Sequence, residues 1–249
     1  MAKILIYDLE TSPILGWTYG LWQTNVIKAE KQPIIMSYSY MWYDDKVIHH
    51  ERLQPKDLKK WSDRKLAVSL RDLFNEADIV IAHNANRFDN KVSNAAFLRN
   101  GLNPSSPYKT IDTLQVARSV AKLTSNSLNS LGEIFGLGTK SEINHGQLWH
   151  KCLMNDKESW DLMEIYNNQD VELLCALYEK LRPYIKNHPN LGDIEQINGV
   201  CPKCLSKNLK KEGTHARRNG RVQSYSCNDC GGWCSESSIV KPNSRIVNG

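Results

Sequence analysis

Two pairs of cysteines constrain the folding of the C-terminal part of the chain more tightly than any other feature of the sequence. Cys201 and Cys204 form the first Cys-x-x-Cys pair, Cys227 and Cys230 form the second, and 22 residues separate the two pairs. Four thiolates at this spacing are the usual ligands of a closed, tetrahedral structural zinc site. Because the segment is short and polar, zinc binding would supply its folding free energy. We therefore predict a zinc ribbon with one Zn²⁺ at residues 200–236.

The positive charge of the chain is concentrated around these cysteines. Residues 191–249 contain nine Lys and Arg against five Asp and Glu, whereas the first 190 residues contain 23 against 22. The net charge of +5 therefore comes mostly from the C-terminal segment. A basic segment of this kind indicates an anionic partner, and the alternative is that the charge serves solubility alone.

The rest of the chain predicts an α/β domain with a mixed sheet. Two strands joined by a tight turn come early, and later strands alternate with helices. The predicted strands are Lys3–Glu10, Ile34–Trp42, Lys46–Arg52, a short strand ending at Asn84 and a brief strand before Asp112. The main predicted helices are Asp63–Asn75, one ending near Asn100, one capped at Asp112 or Thr113, and Lys157–Ile185. This domain is predicted to cover residues 1–186, followed by a linker at 187–199, the ribbon and a flexible tail at 237–249.

Membrane and secretion signals are missing from the sequence. No apolar run is long enough to span a bilayer, and "MAKILIYDLE" turns acidic where a signal peptide would be apolar. We therefore expect a soluble, cytoplasmic protein without membrane partners. In that compartment the seven cysteines would be reduced, which favours metal binding over disulfides.

Acidic residues follow two of the predicted strands and lie on the last long helix. Asp8 and Glu10 end the first strand, where the alternation of side chains places both on one face. Asp89 follows a buried strand, and Tyr166 and Asp170 are four residues apart on one helical face. Four carboxylates can hold two Mg²⁺ or Mn²⁺ ions, which activate water and stabilise charge on phosphorus. Taken singly, Asp8 and Glu10 fit a solvated strand end and Asp89 fits a helix N-terminus. Tyr166 and Asp170 fit a core aromatic and a surface charge, so no single residue indicates a metal site.

The order of these motifs resembles that of the DEDD superfamily of 3′–5′ exonucleases, which have an RNase H-like fold. The motifs are Asp-x-Glu, "HNANRFD" and Tyr-x-x-x-Asp, within Lys3–Pro183. The tyrosine is typical of the DEDDy branch, which includes the proofreading domains of family B DNA polymerases; the other branch has histidine where this chain has Ile165. "SLNSLGEIFGLGTK" and "YNNQDVELLCALYEKLRP" are most similar to stand-alone exonucleases of phage and bacteria. A bacterial or phage-infected cell is therefore the expected source.

The resemblance implies a role for each residue. Asp8 would bridge two Mg²⁺ or Mn²⁺ ions, Glu10 and Asp170 would hold the ion that activates water, and Asp89 would serve the other. Tyr166 would position the attacking water. The implied reaction is hydrolysis of the terminal phosphodiester of a nucleic acid, with DNA favoured, to release nucleoside 5′-monophosphates. The substrate would be single-stranded or carry a 3′ end.

The nucleic acid would contact several further residues under this hypothesis. The predicted contacts are Trp17, Asn84, Asn86, Lys140, Lys210, Lys211, Arg217, Arg218 and Arg221. For the aromatic segment around Trp17 the alternative is core packing, and for the two asparagines it is an Asx-turn. The ribbon could instead dock on a protein of replication, repair or recombination. Two other functions stay open: a structure-specific RNase H-like endonuclease and a non-catalytic nucleic-acid-binding adaptor.

Overall fold

The chain forms two compact units in a computed structural model, which describes residues 1–20, 22, 25–138, 145–218 and 220–240. The first unit is Lys3–Tyr178, and the second combines Met1–Ala2 with Glu179–Gly249. The boundary between the units therefore lies within the last long helix. This boundary precedes residue 186, which is the predicted end of the first domain. Among the helices of the described residues, none combines the length and apolarity that a membrane crossing requires.

A five-stranded mixed sheet forms the centre of the first unit. The strands of this unit are β1 (Ile4–Thr11), β2 (Leu15–Trp17), β3 (Lys28–Lys31), β4 (Ile35–Trp42), β5 (Ile48–Arg52), β6 (Ile79–Ala82) and β7 (Lys109–Asp112). The order in the main sheet is β5-β4-β1-β6-β7. β4 runs antiparallel to β1 and β5, whereas β6 runs parallel to β1 and β7. The predicted α/β class with a mixed sheet is confirmed.

The central strand extends beyond its parallel neighbour. β1 pairs with β4 from Leu5 to Thr11, but it pairs with β6 only from Ile4 to Ile6. β6 is buried along its whole length, as expected for a strand covered on both faces. Past Ile6, β4 is therefore the one strand that pairs with β1 in the described part of the chain, and this part of β1 carries the two acidic residues.

Seven helices accompany the sheet in the first unit's described residues. They are α1 (Pro55–Lys60), α2 (Arg64–Glu76), α3 (Asp89–Arg99), α4 (Thr113–Val120), α5 (Leu128–Phe135), α6 (His145–Leu153) and α7 (Lys157–Leu181). α2 buries one face, with Leu66, Leu70 and Phe74 in the core. We predicted α7 to continue to Ile185, but it ends at Leu181. A short 3₁₀ turn that contains Pro183 follows, because proline has no N–H to continue the α-helical bonding.

A small hairpin takes the place of the irregular segment that we expected after Pro13. β2 and β3 pair antiparallel, and a Cβ on Gly16 would lie only 2.6 Å from the backbone oxygen of Lys28. Only glycine therefore permits this close approach of the two strands. Trp17 is 63% exposed and Trp22 is 95% exposed. Core packing, the alternative that we weighed for this aromatic segment, is excluded.

A three-stranded antiparallel sheet dominates the second unit. Its order is β10-β9-β8, and α8 (Leu191–Glu195) precedes it within the predicted linker. The strands are β8 (Leu209–Arg217), β9 (Gly220–Cys227) and β10 (Trp233–Ile239). β10 thus extends three residues past residue 236, where the predicted ribbon ended, and residues 241–249 lie outside the described part of the chain.

Candidate active site

Three carboxylates converge at the C-terminal end of β1. Asp8 and Glu10 share one face of this strand, and Asp170 comes from α7. One carboxylate oxygen from each lies within 4.8 Å of the others. Asp170 is buried, whereas Asp8 and Glu10 are half-buried. Carboxylate oxygens at this separation repel one another and form a donor set that suits a hard divalent cation.

Tyr166 lies one helical turn before Asp170 and adjoins the same cluster. Its side chain is buried, and its ring packs edge-on against Trp149 with the centroids 6.3 Å apart. Burial raises the pKa of the Tyr166 hydroxyl, and the negative charges of Asp170, Glu10 and Asp8 raise it further. The hydroxyl is therefore protonated at neutral pH and can donate a hydrogen bond at the carboxylate cluster.

Asp89 also contacts β1 but is not part of the 4.8 Å cluster. It is the first residue of α3, and its buried carboxylate accepts a hydrogen bond from the backbone N–H of Leu9, between Asp8 and Glu10. Burial raises its pKa to about 7, and the charge of Asp112 adds to this effect, while the N–H groups of Asp89 and Leu9 oppose it. Without a cation, Asp89 thus carries its proton for much of the time at neutral pH.

Asp112 organises the loop that leads to Asp89. One of its oxygens accepts from the backbone N–H groups of Asn84, Leu114 and Gln115, and the other accepts from that of Asn86 at 3.1 Å. Asp112 is therefore the N-cap of α4, as predicted. Asn84 adopts a φ of 73°, in the left-handed region that asparagine tolerates. The backbone at both asparagines is thus fixed by a single carboxylate.

Asn167 was not predicted from the sequence, yet it contacts the acidic cluster directly. Its Nδ2 lies 2.8 Å from Oδ2 of Asp8 and 3.2 Å from the backbone oxygen of the same residue. A signal was present in the sequence, because positions three apart on a helix share a face and Asn167 precedes Asp170 by three. A short polar residue at such a position is common enough that the spacing alone was not decisive.

The four predicted zinc ligands meet in the second unit. The sulfurs of Cys201, Cys204, Cys227 and Cys230 lie within 4.8 Å of one another. Two of the separations are 3.7 Å (Cys201–Cys230) and 3.6 Å (Cys204–Cys227). Sulfurs bound to one tetrahedral zinc at about 2.3 Å lie about 3.8 Å apart, so the cluster fits this ion. Burial alone would raise the pKa of Cys227, but the N–H groups of Cys230 and Asp229 lower it to about 7.

The predicted nucleic-acid contacts of the ribbon lie along the hairpin of β8 and β9. Lys210 forms an ion pair with Glu212 at 2.9 Å, Arg217 donates to Ser235 and Arg221 donates to Thr214. Lys211 and Arg218 are exposed. In the first unit, Trp17 donates to Glu30 at 2.7 Å. Lys140 falls outside the described residues.

The sheet order and the acidic cluster at the end of β1 define an RNase H-like domain. The family model described as the RNase H superfamily matches residues 24–182. Because the match covers more than half of the chain, the chain belongs to this superfamily. No curated protein sequence matches it.

A solved structure shares the fold. The chain is similar to the family B DNA polymerase from the hyperthermophilic archaeon Pyrobaculum calidifontis, with a TM-score of 0.56 and 18% sequence identity. The similarity covers 74% of this chain but only 25% of the polymerase chain. At this identity the comparison concerns the architecture alone.

Proposed function

We propose that the protein is a metal-dependent 3′–5′ exonuclease of the DEDDy type that releases nucleoside 5′-monophosphates, with DNA as the favoured substrate. The observation that carries the proposal is the convergence of Asp8, Glu10 and Asp170 within 4.8 Å, beside the protonated hydroxyl of Tyr166. Membership of the RNase H superfamily supports a nucleic acid as the substrate.

The acidic residues would hold two Mg²⁺ or Mn²⁺ ions. Asp8, Glu10 and Asp170 offer oxygens close enough together for one ion, and Asp8 with Asp89 would serve the other. Such ions supply positive charge that lowers the pKa of water and neutralises charge developing on the phosphate. Asp89 fits this role because its buried carboxylate has a raised pKa, and a cation would favour its ionised form.

The side chains of the protein would orient the reactants. Tyr166 would donate its hydroxyl hydrogen to the attacking water, and this role requires the protonated form that its surroundings favour. The N–H of Leu9 would hold Asp89 against β1, so that both acidic strand residues and Asp89 border the same substrate end. The contribution of Tyr166 is one of position, because its raised pKa keeps the hydroxyl protonated at neutral pH and leaves almost no tyrosinate to act as a base.

Trp17 and the basic residues of the ribbon would also contact the nucleic acid. Trp17 has a largely exposed ring, and stacking on a base contributes about 1–3 kcal/mol. Asn84, Asn86 and Lys140 are the other proposed contacts in the first domain. The cysteine cluster would hold one structural Zn²⁺, and the basic residues of β8 and β9 would contact phosphates without sequence preference.

The test uses end-labelled and circular substrates. Single- and double-stranded DNA and RNA are incubated with Mn²⁺ and the wild-type protein, with Asp8→Ala, or with Glu172→Ala as a matched control. Glu172 is an exposed carboxylate on α7, so its loss should leave hydrolysis unchanged. We expect a ladder that shortens from the 3′ end, mononucleotide products, and no hydrolysis by Asp8→Ala.

Two other outcomes of this experiment would support the alternative functions, an endonuclease and a non-catalytic adaptor. Cleavage of circular single-stranded DNA, which has no end, would replace the exonuclease with a structure-specific endonuclease. Binding of DNA without hydrolysis of any substrate would favour a non-catalytic adaptor. Full activity of Asp8→Ala would refute the metal assignment.

A further inference from the structure

Two neighbouring amides of α7 contact two neighbouring strands of the sheet. Asn167 donates to Asp8 on β1, and the side chain of Asn168 accepts a hydrogen bond from Ser39 on β4 at 2.6 Å. Asp8 and Ser39 are opposite each other in the register of the two strands. The helix that carries Tyr166 and Asp170 is therefore bonded to the sheet at the position of Asp8.

The contact of Asn168 continues into β5. Ser39 uses its hydrogen for Asn168, so its oxygen must accept from Nδ1–H of His50, which lies 2.8 Å away. This defines His50 as the Nδ1–H tautomer. Burial lowers the pKa of His50 to about 4, with a further contribution from Arg52, so the ring is neutral at neutral pH. Asn168 thus belongs to a structural hydrogen-bond chain that does not include a carboxylate.

Asn167 differs from its neighbour because both of its contacts are on one acidic residue. The side chain of Asn167 is 0% exposed. Its two partners, the carboxylate and the backbone oxygen of Asp8, can only accept, so the amide must present its NH₂ group to them. Two hydrogen bonds from one amide to the side chain and the backbone of Asp8 restrict the rotation of the carboxylate. The amide therefore fixes one oxygen of the Asp8 carboxylate and, with it, the plane of the whole group.

We infer that Asn167 is a positioning residue that sets the orientation of Asp8 for cation binding. This inference rests on the metal site of the proposed function, but it concerns how the site is pre-organised. Side chains that hydrogen-bond to metal ligands commonly change metal affinity or activity by about 10–100-fold when they are removed. Asn167 is buried and supplies its two hydrogen bonds from a helix, so we expect an effect within this range.

The experiment measures Mn²⁺ binding by calorimetry in the absence of nucleic acid, together with the melting temperature. Asn167→Leu replaces the amide by an apolar group of similar volume, and Asn167→Ala is a second variant in case the first does not fold. Asn168→Ala is the matched control, because it removes the adjacent amide on the same helix. We expect about a 10–100-fold loss of Mn²⁺ affinity in the Asn167 variants. Asn168→Ala should lower the melting temperature while keeping Mn²⁺ affinity within about threefold of the wild type.

Several results would overturn the inference. Wild-type Mn²⁺ affinity in Asn167→Leu or Asn167→Ala would show that Asp8 needs no such orientation. Equal losses in the Asn167 and Asn168 variants would show that both amides merely stabilise the fold. Both results leave the proposed exonuclease intact. If the wild-type protein binds no Mn²⁺, the metal site of the proposed function fails as well.

Discussion

Replacing Asp8 by asparagine should change the stability of the protein in opposite directions with and without a divalent cation. The oxygens of Asp8, Glu10 and Asp170 lie within 4.8 Å of one another. At an effective dielectric constant of about 20, each pair of full charges at that distance repels by about 3.5 kcal/mol. Because Asp8 and Glu10 are partly exposed, solvent and salt reduce this value, and we expect a net gain of about 1–2 kcal/mol for Asp8→Asn without metal. Asparagine can still accept the hydrogen bond from Asn167.

In the presence of Mn²⁺, the wild type should instead be more stable than Asp8→Asn. A cation at about 100 times its Kd stabilises the native state by about 2.7 kcal/mol. For a protein of this size, 1 kcal/mol shifts the melting temperature by about 2–4 °C. The wild type should therefore gain about 5–11 °C in saturating Mn²⁺. Asp8→Asn should melt about 2–8 °C above the wild type without Mn²⁺ and gain little from the ion.

The assay consists of two thermal melts for each variant. One is recorded in buffer with Mn²⁺, and the other in buffer to which neither Mg²⁺ nor Mn²⁺ has been added. Chelators such as EDTA are avoided, because they would also remove the zinc that we propose for the cysteine cluster, and with it the folding free energy that zinc would supply to the ribbon. Glu172→Gln, an exposed α7 variant, is the control and should behave like the wild type. The reasoning is refuted if the melting temperature of the wild type does not respond to Mn²⁺ or Mg²⁺. It is also refuted if Asp8→Asn is less stable than the wild type without metal and its melting temperature rises as much as that of the wild type when the cation is added.

Three further predictions concern the site and the ribbon. Tyr166→Phe should lower kcat by about 10–100-fold with little change in KM, because it removes one hydrogen bond, worth about 1–3 kcal/mol, that positions the attacking water; an unchanged kcat in steady-state assays would remove Tyr166 from the mechanism. Because the metal-free pKa of Asp89 is about 7, Mn²⁺ affinity measured by calorimetry should fall as the pH drops below 7, whereas in Asp89→Asn this dependence should flatten. Lys211→Ala with Arg218→Ala should weaken DNA binding and reduce the slope of log K against log salt by about 1–2, and an unchanged slope would favour a protein partner for the ribbon.

The local parts of the site could be predicted because they depend on short periods in the sequence. The alternation of side chains in β1 places Asp8 and Glu10 together, and the helical period places Tyr166 one turn before Asp170. That these two elements meet depends on the packing of residues about 160 positions apart, which no local period encodes. The order of motifs in a known family supplied this pairing at the sequence level, and the structure supplies the distances.

The structural features that were not predicted from the sequence lack a periodic pattern of residues. β2 and β3 are short and exposed throughout, so no apolar alternation marks them as strands. The contact of Asn167 depends on the direction of one side chain, which the spacing leaves undetermined. The end of α7 was placed four residues too late, at Ile185, although Pro183 is a residue that an α-helix does not readily include.

The unequal lengths of β1 and β6 explain why the acidic site forms where it does. β6 ends at Ala82, and its pairing with β1 stops at Ile6. The backbone N–H of Leu9 is therefore available to the carboxylate of Asp89, the first residue of the helix that follows β6. A β6 extended by two or three residues would occupy this edge of β1 with its own backbone and move Asp89 away. The site thus depends on where β6 ends as much as on the acidic residues themselves.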